Sequence, residues 1–82
     1  MIRINMEKVK IYTSSTCHWC MKAKEFFKQH KVEYEELNCS ENPTYRDEVI
    51  KKTGQRGVPV IEIGKKIIIG YDEDELRSAL KL

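Results

Sequence analysis

Two cysteines separated by two residues, Cys17-His18-Trp19-Cys20, are the part of this sequence best suited to chemistry. Such a pair in a small chain serves either thiol–disulfide redox chemistry or one half of a metal site. Redox use needs a thiolate, the form of cysteine that attacks disulfides. The polar stretch Thr13-Ser14-Ser15-Thr16 ends a short β-type run, and Ser15 or Thr16 is suited to N-cap a helix that begins at about Cys17. A sulfur at that position faces the unsatisfied N–H groups and positive dipole end of the helix, which favour thiolate over thiol. Cys20 faces the same helix end one turn deeper, spaced to attack a mixed disulfide formed at Cys17 and release its product.

A structural zinc site needs four ligands, usually a second cysteine pair or histidines at close spacing. The other candidates are Cys39, His18 and His30. His18 lies between the two cysteines and His30 about three turns further along the helix, so neither closes a tetrahedron easily. A c-type haem site would need histidine directly after Cys20, where Met21 stands. Cys39 ends a strand and reads as a small buried apolar residue.

The second informative segment is Gly57-Val58-Pro59-Val60. Proline has no place inside a central strand, so Pro59 must enter its strand at the first residue, beside the start of the first helix. A trans proline opening an edge strand is the ordinary outcome. A cis Val58–Pro59 bond would instead turn the Val58 backbone N–H and C=O outward, to pair with an extended peptide or thiol substrate. Together with Cys17 and Cys20, the cis arrangement is the expectation.

The elements that must hold these residues follow from periodicity. Val9-Lys10-Ile11-Tyr12 is a strand, and Cys17 to His30 a helix with Ala23, Phe26, Phe27 and His30 along one stripe. Val32 to Cys39 is a second strand, with Val32, Tyr34 and Glu36 alternating against Glu33, Glu35 and Leu37. Asn42-Pro43 is an N-cap with proline at the first helical position, and the helix runs through Tyr45, Val49 and Ile50 to Thr53, stopping at Gly54. Val60–Ile63 and Lys66–Ile69 make a hairpin about a tight Gly64-Lys65 turn. Asp72 and Glu75 form a capping box for a last helix with Leu76, Ala79 and Leu80 inward. The order β-α-β-α-β-β-α predicts an α/β fold: a four-stranded mixed sheet, with a parallel pair and an antiparallel hairpin, and helices on both faces.

Composition narrows the function classes. Eighty-two residues fit one domain, 40% apolar and 34% charged, and the apolar residues fall in periodic blocks, which argues against disorder. A net charge of +2 is too small for the basic face of a nucleic-acid binder. No apolar run approaches the roughly 20 residues of a membrane span. Three cysteines are too few, and odd in number, for a secreted disulfide scaffold. Met1 to Lys8 lacks an apolar stretch long enough for a secretory signal, so the chain reads as cytoplasmic, with either Met1 or Met6 as its start.

Ile11-Tyr12-Thr13, Cys17-His18-Trp19-Cys20, Thr53-Gly54-Gln55-Arg56-Gly57-Val58-Pro59 and Gly70-Tyr71-Asp72 together resemble the glutaredoxin family, most of all its short bacterial and archaeal members. The resemblance covers residues 8–82 and leaves residues 1–7 as an N-terminal extension. It implies a thioredoxin-like fold and a monomeric thiol–disulfide oxidoreductase with no tightly bound cofactor. Cys17 is then the nucleophile and Cys20 the resolving thiol, and the two form the disulfide of the oxidised state. The substrates implied are disulfide-bearing proteins or glutathione mixed disulfides, and the electron donor is glutathione or, in some branches, thioredoxin reductase.

Carried over by position, Trp19 flanks the substrate groove, and Val58 and Pro59 bind the backbone of the substrate cysteine. Gln55 and Arg56 hold the glycine carboxylate of glutathione, while Tyr71 and Asp72 grip its γ-glutamyl end. The plainer account of Asp72 is a helix N-cap, and the two roles are compatible. This sequence departs from the family pattern in three places. His18 stands where many members have proline, Ser14 where many have lysine, and Gly57 and Ile69-Gly70 where threonine and a double glycine are common. These departures weaken the glutathione assignment more than the redox one, and glutathione keeps a slight lead over thioredoxin reductase. The reading of another class is a metal module in which two chains share an iron–sulfur cluster through Cys17 and glutathione. The bulk of His18 and Trp19 beside the nucleophile opposes it.

Overall fold

Strand β1 (Val9–Thr13) is central because its apolar residues face both ways. Val9 and Ile11 enter one core, and Tyr12 enters the other. Helix α1 (His18–Gln29), strand β2 (Glu35–Asn38), helix α2 (Pro43–Thr53), strands β3 (Val60–Ile63) and β4 (Lys66–Ile69) and helix α3 (Glu73–Leu80) complete the β-α-β-α-β-β-α order expected from the sequence. This computed structural model describes residues 8–82; the expected extension over residues 1–7, and the choice of start, lie outside them.

The four strands are ordered β2-β1-β3-β4. β1 and β2 are parallel, with Tyr12 beside Leu37, while β3 is antiparallel to both β1 and β4. Helices α1 and α3 cover one face. Ala23, Phe26, Phe27, Leu76 and Leu80 bury there against Ile11, Ile61, Ile63 and Ile68. On the other face α2 brings Val49 onto Tyr12, Leu37, Cys39 and Val60. Burying aliphatic and aromatic side chains of this size contributes about 1.5–3 kcal/mol each, which makes these two clusters the main source of stability.

The local signals mostly hold. Asn42 caps α2, accepting from Thr44 N at 3.0 Å, and Gly54 ends it at φ +78°, a left-handed conformation suited to glycine. The hairpin closes with Ile63 opposite Lys66. His30 lies just past α1 with its ring 4.4 Å from that of Phe26, so the stripe reaches it by ring contact.

Three local expectations need correction. The N-cap of α1 is Cys17 itself, not Ser15 or Thr16, which are exposed. β2 is shorter than residues 32–39: Val32 and Tyr34 pack on the first cluster from outside the strand, and Leu37 and Cys39 enter the second. The capping box is half formed, since Asp72 Oδ1 accepts from Glu75 N but the Glu75 carboxylate is 3.1 Å from Lys66 Nζ.

Candidate functional site

The end of β1 delivers the chain to the first turn of α1, where Cys17 is extended (φ −91°, ψ 109°) while the residues after it are helical. Its Sγ accepts from the backbone N–H of Cys20 at 3.1 Å, the position a capping oxygen would take. Cys17 and Cys20 are joined as a disulfide, with their Cα atoms 5.2 Å apart. The two sulfurs differ sharply in access, for Cys17 is half-buried and Cys20 only 1% exposed.

Carbonyl oxygens complete the surroundings. Cys20 Sγ lies 4.0 Å from Tyr12 O, and Cys17 Sγ lies 3.8 Å from Val58 O. On reduction the buried Cys20 would find an acceptor for its S–H in Tyr12 O, an arrangement that favours the neutral thiol. Cys17 keeps its N–H donor, which favours the thiolate. Each sulfur thus has a carbonyl oxygen within reach, and Cys17 Sγ receives a backbone N–H as well.

The Val58–Pro59 peptide is cis, as expected from the sequence, and Pro59 is buried at the head of β3. With Val58, Trp19, Gly70 and Tyr71 it lines a shallow cleft of about 290 Å³. The Trp19 and Tyr71 rings are stacked, and Trp19 is 55% exposed. Burial, reinforced by Glu73, pushes the Tyr71 hydroxyl above its ordinary pKa. Gly70 was not singled out for the site by sequence reasoning. Its N–H donates to Pro59 O at 2.9 Å and it holds φ +87°, so it joins the proline strand to the aromatic wall in a backbone form that side chains disfavour. The visible signal was its place directly before Tyr71-Asp72.

Of the residues expected in the site, the structure brings Trp19, Val58, Pro59 and Tyr71 together around this cleft beside the disulfide. Gln55, Arg56 and Asp72 are exposed and are not among its lining residues. Gln55 is tied to Thr53, its N–H donating to Thr53 Oγ1 at 3.2 Å. Asp72 Oδ1 caps α3 by accepting from Glu75 N at 3.2 Å. His18 is exposed and meets Trp19 edge-on, and Lys22 Nζ sits 5.9 Å from the indole centre. Cys39 is remote from this cluster, buried beside Val49, and burial raises its thiol pKa. Among the described residues, no three histidine, cysteine, aspartate or glutamate side chains converge as a metal site would require.

A four-stranded sheet carrying a Cys-x-x-Cys disulfide at a helix N-terminus, with a cis-proline strand beside it, defines a small redox protein of the thioredoxin-like fold. The comparisons agree. The glutaredoxin family model matches residues 9–68. A glutaredoxin-like 8.6 kDa protein of the rubredoxin operon of Clostridium pasteurianum is 37% identical over 73 residues, spanning 89% of this chain and 97% of that protein. The crystal structure of a glutaredoxin from Archaeoglobus fulgidus superposes with a TM-score of 0.82 at 29% identity, covering 94% of this chain and 89% of that one. A buckwheat glutaredoxin solved as its glutathione complex gives a TM-score of 0.74 at 25% identity, over 94% and 79% of the two chains. The chain belongs to the glutaredoxin family, and the Cys17–Cys20 pair is its redox-active disulfide.

Proposed function

We propose that this protein reduces disulfides of proteins, or their mixed disulfides with glutathione, by a two-cysteine cycle, and that glutathione returns the electrons. The observation that carries the reading is the asymmetry of the pair: an accessible Cys17 sulfur receiving an N–H, and a buried Cys20 sulfur one turn behind it. In the reduced protein the Cys17 thiolate attacks one sulfur of the substrate disulfide. The S–S bond breaks, and the leaving thiolate takes a proton from solvent. Cys20 then loses its proton and attacks Cys17 Sγ, expelling the second substrate thiolate and forming the Cys17–Cys20 disulfide. The substrate has gained two electrons and the protein has lost two.

One glutathione thiolate next attacks Cys17, freeing Cys20, and a second removes the first as glutathione disulfide. In this reading the substrate cysteine lies in the cleft beside Val58 and Pro59 with Trp19 and Tyr71 at its flank. Gln55, Arg56, Tyr71 and Asp72 take the two charged ends of glutathione. The likeness to a glutaredoxin solved with glutathione supports that choice. The exposed basic Arg56 and the carboxylate of Asp72 at the start of α3 supply suitable opposite charges.

The second donor, a thioredoxin reductase, is favoured by Ser14 and Gly57, which remove groups that would meet glutathione, and by the position of Gln55, Arg56 and Asp72 outside the cleft lining. The remaining assignment is a monomer of the cytoplasm, formed by residues 8–82 and acting on protein disulfides. The odd, buried thiol of Cys39 suits a reducing compartment.

A coupled assay tests the reading. Oxidised protein is offered glutathione with its reductase, or thioredoxin reductase alone, and NADPH loss is followed for wild type and Cys17→Ser. Turnover with glutathione that vanishes in Cys17→Ser is expected. Turnover only with thioredoxin reductase would keep the cysteine cycle and remove the glutathione site. No Cys17-dependent turnover with either would end the enzyme reading.

A further inference from the structure

The segment between α2 and β3, residues 54–59, carries the Val58–Pro59 pair, yet few contacts hold its middle. Its start is tied by Gly54 N to Ile50 O and by the exchange between Thr53 Oγ1 and the Gln55 backbone. Its end is tied by Gly70 N to Pro59 O. Gln55, Arg56 and Gly57 are exposed, and Gly57 has open space where a side chain would be. Between these ties the Arg46 guanidinium grips the backbone, Nη1 donating to Arg56 O at 2.8 Å, while Cys17 Sγ lies against Val58 O at the longer distance of 3.8 Å.

Arg46 is well placed to transmit position. It stands on α2, which is fixed to the sheet by Val49 and Tyr45 in the second core cluster. Its side chain is half-buried, which limits its freedom. The carbonyl it holds is two residues before Val58, whose own carbonyl lies 3.8 Å from Cys17 Sγ. A shift of the Arg56 peptide would pass directly to the Val58 backbone, because Gly57 between them adds no side chain to resist it. A charge-assisted hydrogen bond is among the stronger single contacts available to such a loop.

We propose that Arg46 is a positioning residue for the substrate-binding strand entry: its guanidinium clamps the Arg56 carbonyl and so fixes the Val58 backbone against which a substrate disulfide docks. Arg46 acts through the loop and does not touch the reacting sulfurs. The inference rests on the docking role proposed above for Val58, and its primary test is independent of that role.

The variants are Arg46→Met, which keeps length without a donor, and Arg46→Lys, which keeps one charged donor. Backbone 15N relaxation by NMR in the oxidised protein is the first readout. Arg46→Met should lower the order parameters of Gly57 and Val58 from the wild-type value toward the flexible range below about 0.6, with those of Val49 and Ile50 on α2 unchanged, and Arg46→Lys should recover most of the order. Unchanged loop order parameters in Arg46→Met, or loosening of α2 to the same extent, would overturn the clamp. The second readout is reduction of a short disulfide peptide with dithiothreitol as reductant, so that the physiological donor plays no part. A several-fold rise in KM with kcat within about twofold, rescued by Arg46→Lys, is expected. Loosened amides with an unchanged KM would leave the clamp standing and refute the docking role of Val58.

Discussion

The indole of Trp19 lies stacked on the phenol ring of Tyr71, centroids 6.1 Å apart and planes 19° from parallel, joining the first turn of α1 to the segment between β4 and α3. The two residues are 52 positions apart in sequence and form one wall of the cleft beside the disulfide. Offset aromatic pairs of this kind contribute about 0.5–1.5 kcal/mol beyond their burial. With Trp19 already 55% exposed, Tyr71 supplies much of what keeps the ring in place.

Removing Tyr71 should therefore free the indole. Trp19 is the only tryptophan in the chain, so its fluorescence reports the change without interference. Tyr71→Ala is expected to shift the emission maximum to the red and raise KM for a disulfide substrate several-fold, with a smaller effect on kcat. Tyr71→Phe keeps the ring and should behave as wild type. An unchanged emission maximum in Tyr71→Ala would mean that the stack does not hold in solution.

The different settings of the three cysteines predict an order of reaction in the reduced protein. Cys17 is half-buried and receives the Cys20 N–H; Cys20 and Cys39 are buried, and burial raises the Cys39 thiol. Free cysteine is mostly protonated at pH 7, with a pKa near 8.5, so thiolate content decides the rate. Limited iodoacetamide treatment at pH 7, followed by peptide mapping, should label Cys17 at least about tenfold faster than either of the others. Cys20 and Cys39 should react only as denaturant opens the fold. First labelling at Cys20 would reverse the roles of nucleophile and resolving thiol.

Behind the site, Lys52 on α2 ties the sheet to the helix through a polar chain. Its Nζ donates to Glu62 Oε1 at 2.6 Å and to the Tyr12 hydroxyl at 3.0 Å, and that hydroxyl donates to Glu48 Oε1 at 2.9 Å. The Glu62 carboxylate, then the Tyr12 hydroxyl, raise the Lys52 pKa above its ordinary value. A raised lysine binds its proton more tightly folded than unfolded. Its contribution is therefore complete below the unfolded value, about 10.4, and is lost as pH rises beyond it. Burial likewise raises Tyr12, whose neutral form the fold prefers, so its contribution fails on the same alkaline side. Lys52→Met should cost about 1 kcal/mol at pH 7, a partly buried pair being worth somewhat more than an exposed one. In urea titrations the gap between wild type and Lys52→Met should hold up to about pH 10.4 and narrow progressively above it, through about pH 11.5. A gap that stays constant over that range would exclude the ion pair as its source.

Local pattern carried much of this fold, for reasons that particular residues make plain. Asn42-Pro43, Gly54 and the Gly64-Lys65 turn act on their own neighbourhoods, so their effects could be read without knowing what packs where. The cysteine pair and Val58-Pro59 were legible because few structural needs put those residue types together. What escaped reading depends on partners distant in sequence. Tyr12 looked like a core residue, yet its hydroxyl meets Glu48 and Lys52, 36 and 40 residues away. Glu36 was expected to alternate with Val32 and Tyr34. In the fold it accepts from Thr13 Oγ1 at 2.8 Å and Lys24 Nζ at 3.0 Å, which together outweigh burial and lower its pKa. The hold of Arg46 on Arg56 had no local signature at all. Cys17 was missed as the cap because sulfur is a weak acceptor beside the hydroxyls of Ser15 and Thr16; the turn that presents it for chemistry also makes it the capping group.

Asp72 offers the sharpest division between a structural and a binding role. Its Oδ1 accepts from Glu75 N at 3.2 Å and caps α3, whose first turn also holds Glu73, Asp74 and Glu75. Replacing an N-cap aspartate by alanine costs about 0.5–2 kcal/mol, whereas asparagine caps nearly as well. Asp72→Ala should therefore lower stability by about 1 kcal/mol, and Asp72→Asn by a few tenths, from the lost charge at the helix start. Binding divides the variants differently, because an ammonium group needs the carboxylate and gains little from an amide. If Asp72 receives the γ-glutamyl end of glutathione, Asp72→Asn should raise KM for glutathione several-fold with thermal stability almost unchanged. The same variant should leave KM for a disulfide peptide reduced by dithiothreitol as it was. An Asp72→Asn protein with wild-type KM for glutathione would confine Asp72 to its cap, and the donor would then have to be recognised without it.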